Sequence, residues 1–229
     1  MFDLDGTLVD SRTPFTRSIN HALVAHGAAP VAPELLDRFL GPPIHDALAE
    51  LLADSNRERG VIPKPEDQLE QLVAAAVATY RRHQQQHGAE GAQVFAGVPE
   101  LLASLGRHAR LAVATSKVIG TAELILTESG LRDYFTVVCG PAPDAVREPK
   151  AVTLGRALDQ LGLRSFAPDA PPSAVMVGDR LHDVAGADAH GLPAIGVLWG
   201  SGSESELRAA GAAAVVAFPA EIPPLLGEI

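Results

Sequence analysis

The chain opens MFDLDGTLVDS, which sets three carboxylates, Asp3, Asp5 and Asp10, close together at its start. Asp3 and Asp5 are two residues apart behind an apolar pair, so on a strand their side chains point the same way. Two carboxylates on one face suit a two-step transfer at phosphorus. One attacks as a nucleophile. The other gives the leaving oxygen a proton and later activates a water. Gly6 lets the backbone turn sharply after them, and Thr7 adds a hydroxyl and an N–H to that turn. Three further stretches carry matching chemistry: Thr115-Ser116-Lys117, Arg147-Glu148-Pro149-Lys150 and Gly178-Asp179-Arg180-Leu181-His182-Asp183. Asp3, Asp5, Asp179 and Asp183 brought together would repel one another unless a cation joined them, and hard oxygen donors select Mg²⁺. A phosphate would complete that shell, with Lys150 balancing its charge.

For these residues to meet, each must be carried to the carboxyl end of a strand in one parallel sheet, where open α/β folds bind ligands. The hydrophobic pattern supplies such strands. Residues 1–4 read as the first, 111–114, 135–139, 174–177 and 194–198 as later ones, and 213–216 as an edge. Helical spacing over 99–107, 119–129, 152–161 and 184–190 alternates with them, as a doubly wound sheet requires. Ser203 with Glu206 predicts a capping box for the last clear helix. Residues 14–92 break this rhythm with helices only. Thr13 reads as an N-cap before Pro14 at the first helical position, and Gly27 closes that helix. Residues 33–40, 44–52 and 66–87 follow as helices, with Gly41-Pro42-Pro43 stopping the second. The fold class is therefore α/β, a Rossmann-like parallel sheet core with an inserted α-helical cap domain. The expected core comprises residues 1–13 and 93–229, and the cap residues 14–92. Hinges are expected near Arg12-Thr13 and across residues 91–97, with Gly41-Pro42-Pro43 as a rigid substrate-facing loop.

The residues also carry a resemblance that covers nearly the whole chain. FDLDGTLVDS, LAVATSK, REPKAVTLGRAL and VMVGDRLHDVAGADAHG resemble, in order, the four motifs of the haloacid dehalogenase superfamily, and FLGPPIHDAL resembles a cap segment of its phosphoglycolate-phosphatase-like branch. The resemblance implies that Asp3 is the nucleophile and a Mg²⁺ ligand. Asp5 would be the general acid/base, its backbone carbonyl also on the metal. Thr115 and Ser116 would hold the transferring phosphoryl group, and Lys150 would pair with that group and with the nucleophile. Asp179 would be a direct metal ligand, and Asp183 would ligate the metal or orient its waters. The dehalogenases lack the second aspartate, so Asp5 argues for phosphoryl chemistry. The phosphonate-cleaving relatives use a cap lysine, and here the sole cap lysine is Lys64, in a Pro-Lys-Pro loop. The implied activity is Mg²⁺-dependent hydrolysis of small phosphomonoesters through an aspartyl-phosphate. A phosphotransferase (a mutase or a kinase-like member), a nucleoside 5'-monophosphate phosphatase and a catalytically silent regulator are the alternatives. Silence would show as loss of Asp3, Asp5 or Lys150, and none is lost. Members usually carry several apolar residues before the first motif; only Met1 and Phe2 stand here, so the natural start is expected upstream.

The bulk properties narrow the partners. The chain has 229 residues, 47% apolar and 20% charged, which suits a globular core with one insertion. Its net charge of −10 argues against nucleic acid or an anionic membrane as a partner. A small phosphorylated metabolite would need a local cation to draw it in, and only Lys64, Lys117 and Lys150 are lysines among 18 basic residues. The lone Cys139 excludes an internal disulfide and fits a reducing compartment, so a cytoplasmic location is expected; monomer and homodimer are both left open. His83 and His87 share a helical face without a third zinc-type ligand and read as solvated. Arg147, Arg180 and His182 read as surface charge, Gly200-Ser201-Gly202-Ser203 as a flexible turn, and Trp199 as a cover for the crevice or as hydrophobic surface.

Overall fold

In the computed structural model, which describes residues 1–41, 43–58, 66–145, 147–163 and 174–227, the sheet is assembled around the first three residues. Phe2 bridges in parallel to Val113 on one side and to Val177 on the other. Phe2 N donates to Ala112 O at 2.9 Å and Asp3 N to Val177 O at 2.9 Å. This short segment is the seam between two parallel sets. On one side lie β3 (Ala112–Ala114) and β4 (Val137–Cys139), on the other β5 (Met176–Gly178), β6 (Ala194–Val197) and β7 (Ala214–Val216). With so few residues in each strand, nearly every side chain along the centre is apolar and buried, which is the signature of a sheet covered on both faces.

The two faces follow the period-two alternation of the first segment. Phe2 packs with Val113, Val177, Leu102, Ile125 and Leu126 beneath α5 (Val98–Leu105) and α6 (Ile119–Glu128). Met1 packs on the opposite face with Ala114, Met176, Leu154, Leu158 and Val184, beneath α7 (Lys150–Leu161) and α8 (Leu181–Asp188). Asp3 follows Met1 in this alternation, and its carboxylate meets the N-terminal ends of α7 and α8.

Between β1 (Val9–Asp10) and β2 (Gln93–Val94) the described residues make four α-helices: α1 (Arg12–Ala25), α2 (Pro33–Leu36), α3 (Ile44–Glu58) and α4 (Glu66–His87). They bury a core of their own, with Phe15, Ile19 and Leu23 of α1 against Leu48 and Leu52 of α3 and Val73, Ala76 and Tyr80 of α4. β1 and β2 pair antiparallel, Val9 opposite Val94 and Asp10 opposite Gln93, and so bring both ends of the insert to one stem. At two residues each they are too short to leave a periodic signal in sequence.

Local differences from the sequence reading have local causes. α1 starts at Arg12 with Ser11 as its N-cap rather than Thr13; no side chain caps it, and the Ser11 hydroxyl is directed at Asp5, to which it donates. Residues 33–40 give one turn of α-helix followed by a 3₁₀ turn, Asp37–Phe39. α3 runs on to Glu58, past the expected stop at residue 52. Half of the predicted capping box forms on α9 (Glu204–Ala209): Glu206 N donates to Ser203 Oγ at 3.1 Å, while the Glu206 carboxylate is taken by Arg180. Pro42 and Lys64 lie outside the described residues.

Candidate active site

Asp3, Asp179 and Asp183 leave adjacent strand ends and converge. Each offers an oxygen within 4.8 Å of the others, and all three are buried. Lys150, the first residue of α7, puts Nζ 2.7 Å from Asp3 Oδ1 and 2.7 Å from Asp183 Oδ1. A lysine at a helix N-terminus opposes the macrodipole, so the carboxylates are what hold it. Burial alone would pull its pKa down, but Asp183 and Asp3 more than reverse this and keep the ammonium charged. Asp183 sits in the first turn of α8, where its Oδ2 accepts the Arg180 N–H at 3.1 Å.

The carboxylates are less comfortable. Burial pushes the Asp3 carboxyl up to about 6: the nearby Lys150 opposes that rise, and Asp183 and Asp5 add to it. Burial, with repulsion from Asp183 and Asp3, pushes Asp179 up to about 8. With all three ionised, the carboxylates against one ammonium leave two negative charges, which a single divalent cation would balance. Buried all-oxygen donors of this kind fit a hard divalent ion.

The turn after Asp5 is shaped around Asp179. Gly6 has φ +80°, and a Cβ there would run into the Asp179 carboxylate. Thr7 Oγ1 donates to Asp179 Oδ1 at 3.4 Å. The loop from Gly200 to Ser203, read from sequence as a flexible turn, is packed against the same group. Ser201 N donates to Asp179 Oδ2 at 2.8 Å, and a side chain at Gly200 would collide with that carboxylate. Trp199 is half-buried beside this loop, its Nε1–H donated to Thr7 O at 3.0 Å.

Asp5 stands apart from the trio and faces a cavity. Its Oδ1 accepts the Ser11 hydroxyl at 2.5 Å, and its Oδ2 pairs with Lys117 Nζ at 3.1 Å. The Lys117 side chain is only 9% exposed, and its Nζ also reaches Gln84 Oε1 on α4 at 3.4 Å. Sequence reasoning gave Lys117 no role; its survival in a lysine-poor chain was the available signal. Thr115 is buried, and its Oγ1 accepts the Lys117 N–H at 3.2 Å. Thr115 and Ser116 line the same cavity as Asp3 and Asp5, a space of about 80 Å³ roofed by Phe15, Phe39, Gly41 and Tyr80 of the helical insert. Asp10 is turned away and pairs with Arg12 at 2.5 Å.

Two arginines read as surface charge do other work. Arg180 pairs with Glu206 at 2.8 Å and donates through Nη1 to the carbonyl of Leu40, in the insert. Arg147 reaches from the strand-end loop to Asp46 Oδ1 at 2.7 Å and to His45 Nδ1 at 2.9 Å, both on α3. From the other side, Arg81 of α4 donates to Pro143 O at 2.7 Å and Ala145 O at 2.5 Å. These bonds hold the insert down over the strand ends.

The profile of the haloacid dehalogenase-like hydrolases matches residues 1–197. The chain belongs to that family. It is 38% identical over 204 residues to the tyrosine-protein kinase PtkA of Mycobacterium tuberculosis, a match that covers 88% of this chain but only 62% of that kinase's length. A 5'-nucleotidase of Pseudomonas aeruginosa is 35% identical across 91% of this chain and 86% of its own. A phosphoglycolate phosphatase of Yersinia pestis is 30% identical across 99% of this chain and 91% of its own. The crystal structure of a predicted phosphatase from Clostridium acetobutylicum superposes with a TM-score of 0.83 at 30% identity, covering 100% of this chain and 97% of that one. An α/β core with an inserted helical cap is thus the architecture of this haloacid dehalogenase-like chain. Among the described residues, no helix is long and apolar enough to cross a membrane.

Proposed function

We propose that the chain is a Mg²⁺-dependent phosphatase of small phosphomonoesters that works through an aspartyl-phosphate on Asp3. The observation that carries this reading is the buried Asp3–Lys150–Asp183–Asp179 cluster lying beside Asp5 at one small cavity. The core comprises residues 1–13 and 93–229, and the cap residues 14–92. Asp3, Asp179, Asp183 and the backbone carbonyl of Asp5 would hold the ion. Bound there, Mg²⁺ supplies charge neutralisation at the phosphoryl oxygens.

The rest is the work of the chain. Thr115, Ser116 and Lys150 hold the phosphoryl group against Asp3. An Asp3 oxygen forms the bond to phosphorus as the bond to the leaving oxygen breaks, and Asp5 gives that oxygen its proton. The leaving alcohol departs. Asp5 then takes a proton from the entering water, whose oxygen bonds to phosphorus and frees Asp3 and inorganic phosphate. The closed cap excludes bulk water meanwhile.

Cavity size favours small substrates. A water needs roughly 10–15 Å³ of such space, so about 80 Å³ takes a phosphoryl group and little more. A larger crevice of about 500 Å³ lies next door, between α4 and the loop at Pro143, but Arg81, Val118 and Thr121 stand between the two. A nucleoside would need Arg81 to release Pro143 and Ala145. The test is a phosphate-release screen with Mg²⁺ over phosphoglycolate, ethyl phosphate, nucleoside 5'-monophosphates and phosphotyrosine. The small esters are expected to lead. Preferred turnover of nucleotides would overturn the size argument, and transfer of phosphate to a hydroxyl acceptor instead of water would make the chain a phosphotransferase.

Lys117 extends the substrate reading. Both Asp5 oxygens are engaged, one by Ser11 and one by Lys117. A leaving group that carries its own carboxylate draws Lys117 Nζ to itself and frees Asp5 Oδ2 for the proton transfer. Replacing Lys117 by Met is expected to lower kcat/KM for phosphoglycolate about ten- to a hundredfold more than for ethyl phosphate, the effect of one lost charge-assisted hydrogen bond. An equal loss on both substrates would remove Lys117 as a selectivity residue.

A further inference from the structure

Lys150 opens α7 from an unfavourable position. Pro149 before it has no side chain to cap the helix, and an ammonium at the first position works against the helix dipole. Its Nζ nevertheless stays 2.7 Å from both Asp3 and Asp183. The neighbouring helix α8 meets this turn at three places. Asp183, in the first turn of α8, takes the ammonium. Gly186, one turn on, leaves room for the lysine stem: a Cβ there would lie 3.0 Å from Lys150 Cγ and 3.2 Å from Lys150 Cβ. His190, in the turn that closes α8, holds the backbone: its Nε2 lies 2.7 Å from Ala151 O. A carbonyl only accepts, so Nε2 carries the hydrogen, and its second lone pair leaves Ala151 O free to serve the helix as well.

Gly155 of α7 makes the room for that ring. A Cβ there would stand 3.1 Å from His190 Cε1 and 3.3 Å from Nε2. The backbone of His190 is itself fixed: its N–H donates to Ala187 O at 2.9 Å, Leu192 N donates to the same carbonyl at 3.0 Å, and Gly191 turns the chain at φ +64°. On the other side, Thr153 Oγ1 and Arg156 Nη1 reach back to Glu148 at 2.8 and 2.9 Å, which fixes the loop ahead of α7. The imidazole instead ties the turn to the element that carries Asp183. We propose that His190 is a positioning residue for Lys150: through Ala151 O it fixes the turn from which the ammonium is aimed between Asp3 and Asp183. His190 does not line the cavity, so it acts through the lysine and not on the substrate. The effect on turnover rests on the phosphatase reading; the effect on the ammonium does not.

The scarcity of lysine makes the test direct. Lys64, Lys117 and Lys150 are the only lysines, so ¹H–¹⁵N spectra of the ammonium groups hold three signals at most. The Lys117 and Lys150 side chains, 9% and 4% exposed, are shielded from exchange, and Lys117→Met tells them apart. His190→Leu removes the donor, and His190→Gln restores an N–H at similar reach. His190 is half-exposed, so both variants should fold. In metal-free His190→Leu the Lys150 signal is expected to shift and lose protection while that of Lys117 stays. With Mg²⁺, kcat for phosphate release should fall roughly ten- to a hundredfold, the scale of a misplacement of about 1 Å, with KM changed less. His190→Gln should recover both. Gly155→Ala crowds the ring away from Ala151 O while raising helix propensity, so turnover should drop there without a lower melting temperature, which a purely stabilising role does not produce. An unmoved Lys150 signal in folded His190→Leu, or His190→Gln no better than His190→Leu, would overturn the proposal. A moved signal with turnover intact would uphold the positioning and count against Lys150 in the reaction.

Discussion

Replacing Asp3 by Asn is expected to lower phosphate release by at least about 10⁴-fold, the scale at which loss of a covalent nucleophile registers, while the protein stays folded. An amide has no anionic oxygen to bond to phosphorus, and no neighbour is placed to substitute. Asp179 and Asp183 hold the other side of the cluster, and Asp5 is occupied by Ser11 and Lys117. The fold should survive because Lys150 keeps Asp183 as a partner at 2.7 Å. Stability at pH 8 should even gain in the absence of Mg²⁺, since burial holds the Asp3 carboxyl at about 6 and its ionised form is the disfavoured one there. Steady-state kinetics beside a thermal melt check both halves. Asp5→Asn separates the two carboxylates: p-nitrophenyl phosphate has a leaving group that needs little protonation, so this variant should still give a burst of nitrophenol and then stall as phosphoenzyme. Retained turnover in a clean Asp3→Asn preparation would remove Asp3 as nucleophile. A missing burst in Asp5→Asn would remove the division of labour.

What was legible in the sequence was the set of residues that carry chemistry at the ends of apolar runs. Asp3, Thr115, Lys150, Asp179 and Asp183 could be placed because a strand end in a parallel sheet has only one place to point, and the structure brings them to neighbouring positions there. The helical insert was legible for a similar reason: a long stretch with helical spacing and turn residues has few other readings. The contacts that close the insert were not. Arg180 is held through a backbone carbonyl at Leu40, and Arg81 through carbonyls at Pro143 and Ala145. A carbonyl is present at every residue, so no side-chain pattern announces such a bond. Thr13 read as the cap of α1, and only the fold shows that Ser11 stands at that position with its hydroxyl donated to Asp5. His21 lies far in sequence from His83 and meets it only because α1 and α4 pack side by side. Long-range pairings between elements that are each locally ordinary are where sequence reading ends.

Charge in the aspartate cluster sets a pH dependence for the metal that can be worked out from Asp179. Its carboxyl rises from 3.8 to about 8 because burial and two like charges disfavour ionisation. The folded, metal-free protein therefore holds a proton that the unfolded chain releases near pH 4. The stability this contributes is full below about pH 4 and is lost as pH rises through about 8. Binding Mg²⁺ requires the ionised form, so below pH 8 each ion bound must displace that proton. Apparent affinity then weakens about tenfold per pH unit, or roughly a hundredfold between pH 8 and pH 6. Asp3, held at about 6, adds a smaller loss at the acid end of the range. Calorimetry in two buffers of different ionisation enthalpy should find close to one proton released per Mg²⁺ at pH 7, and the thermal shift produced by Mg²⁺ should be larger at pH 8 than at pH 6. An ordinary exposed carboxylate site would show neither effect, because it is already ionised across this range. A flat affinity profile with no proton release would mean that Asp179 is not the group that meets the ion.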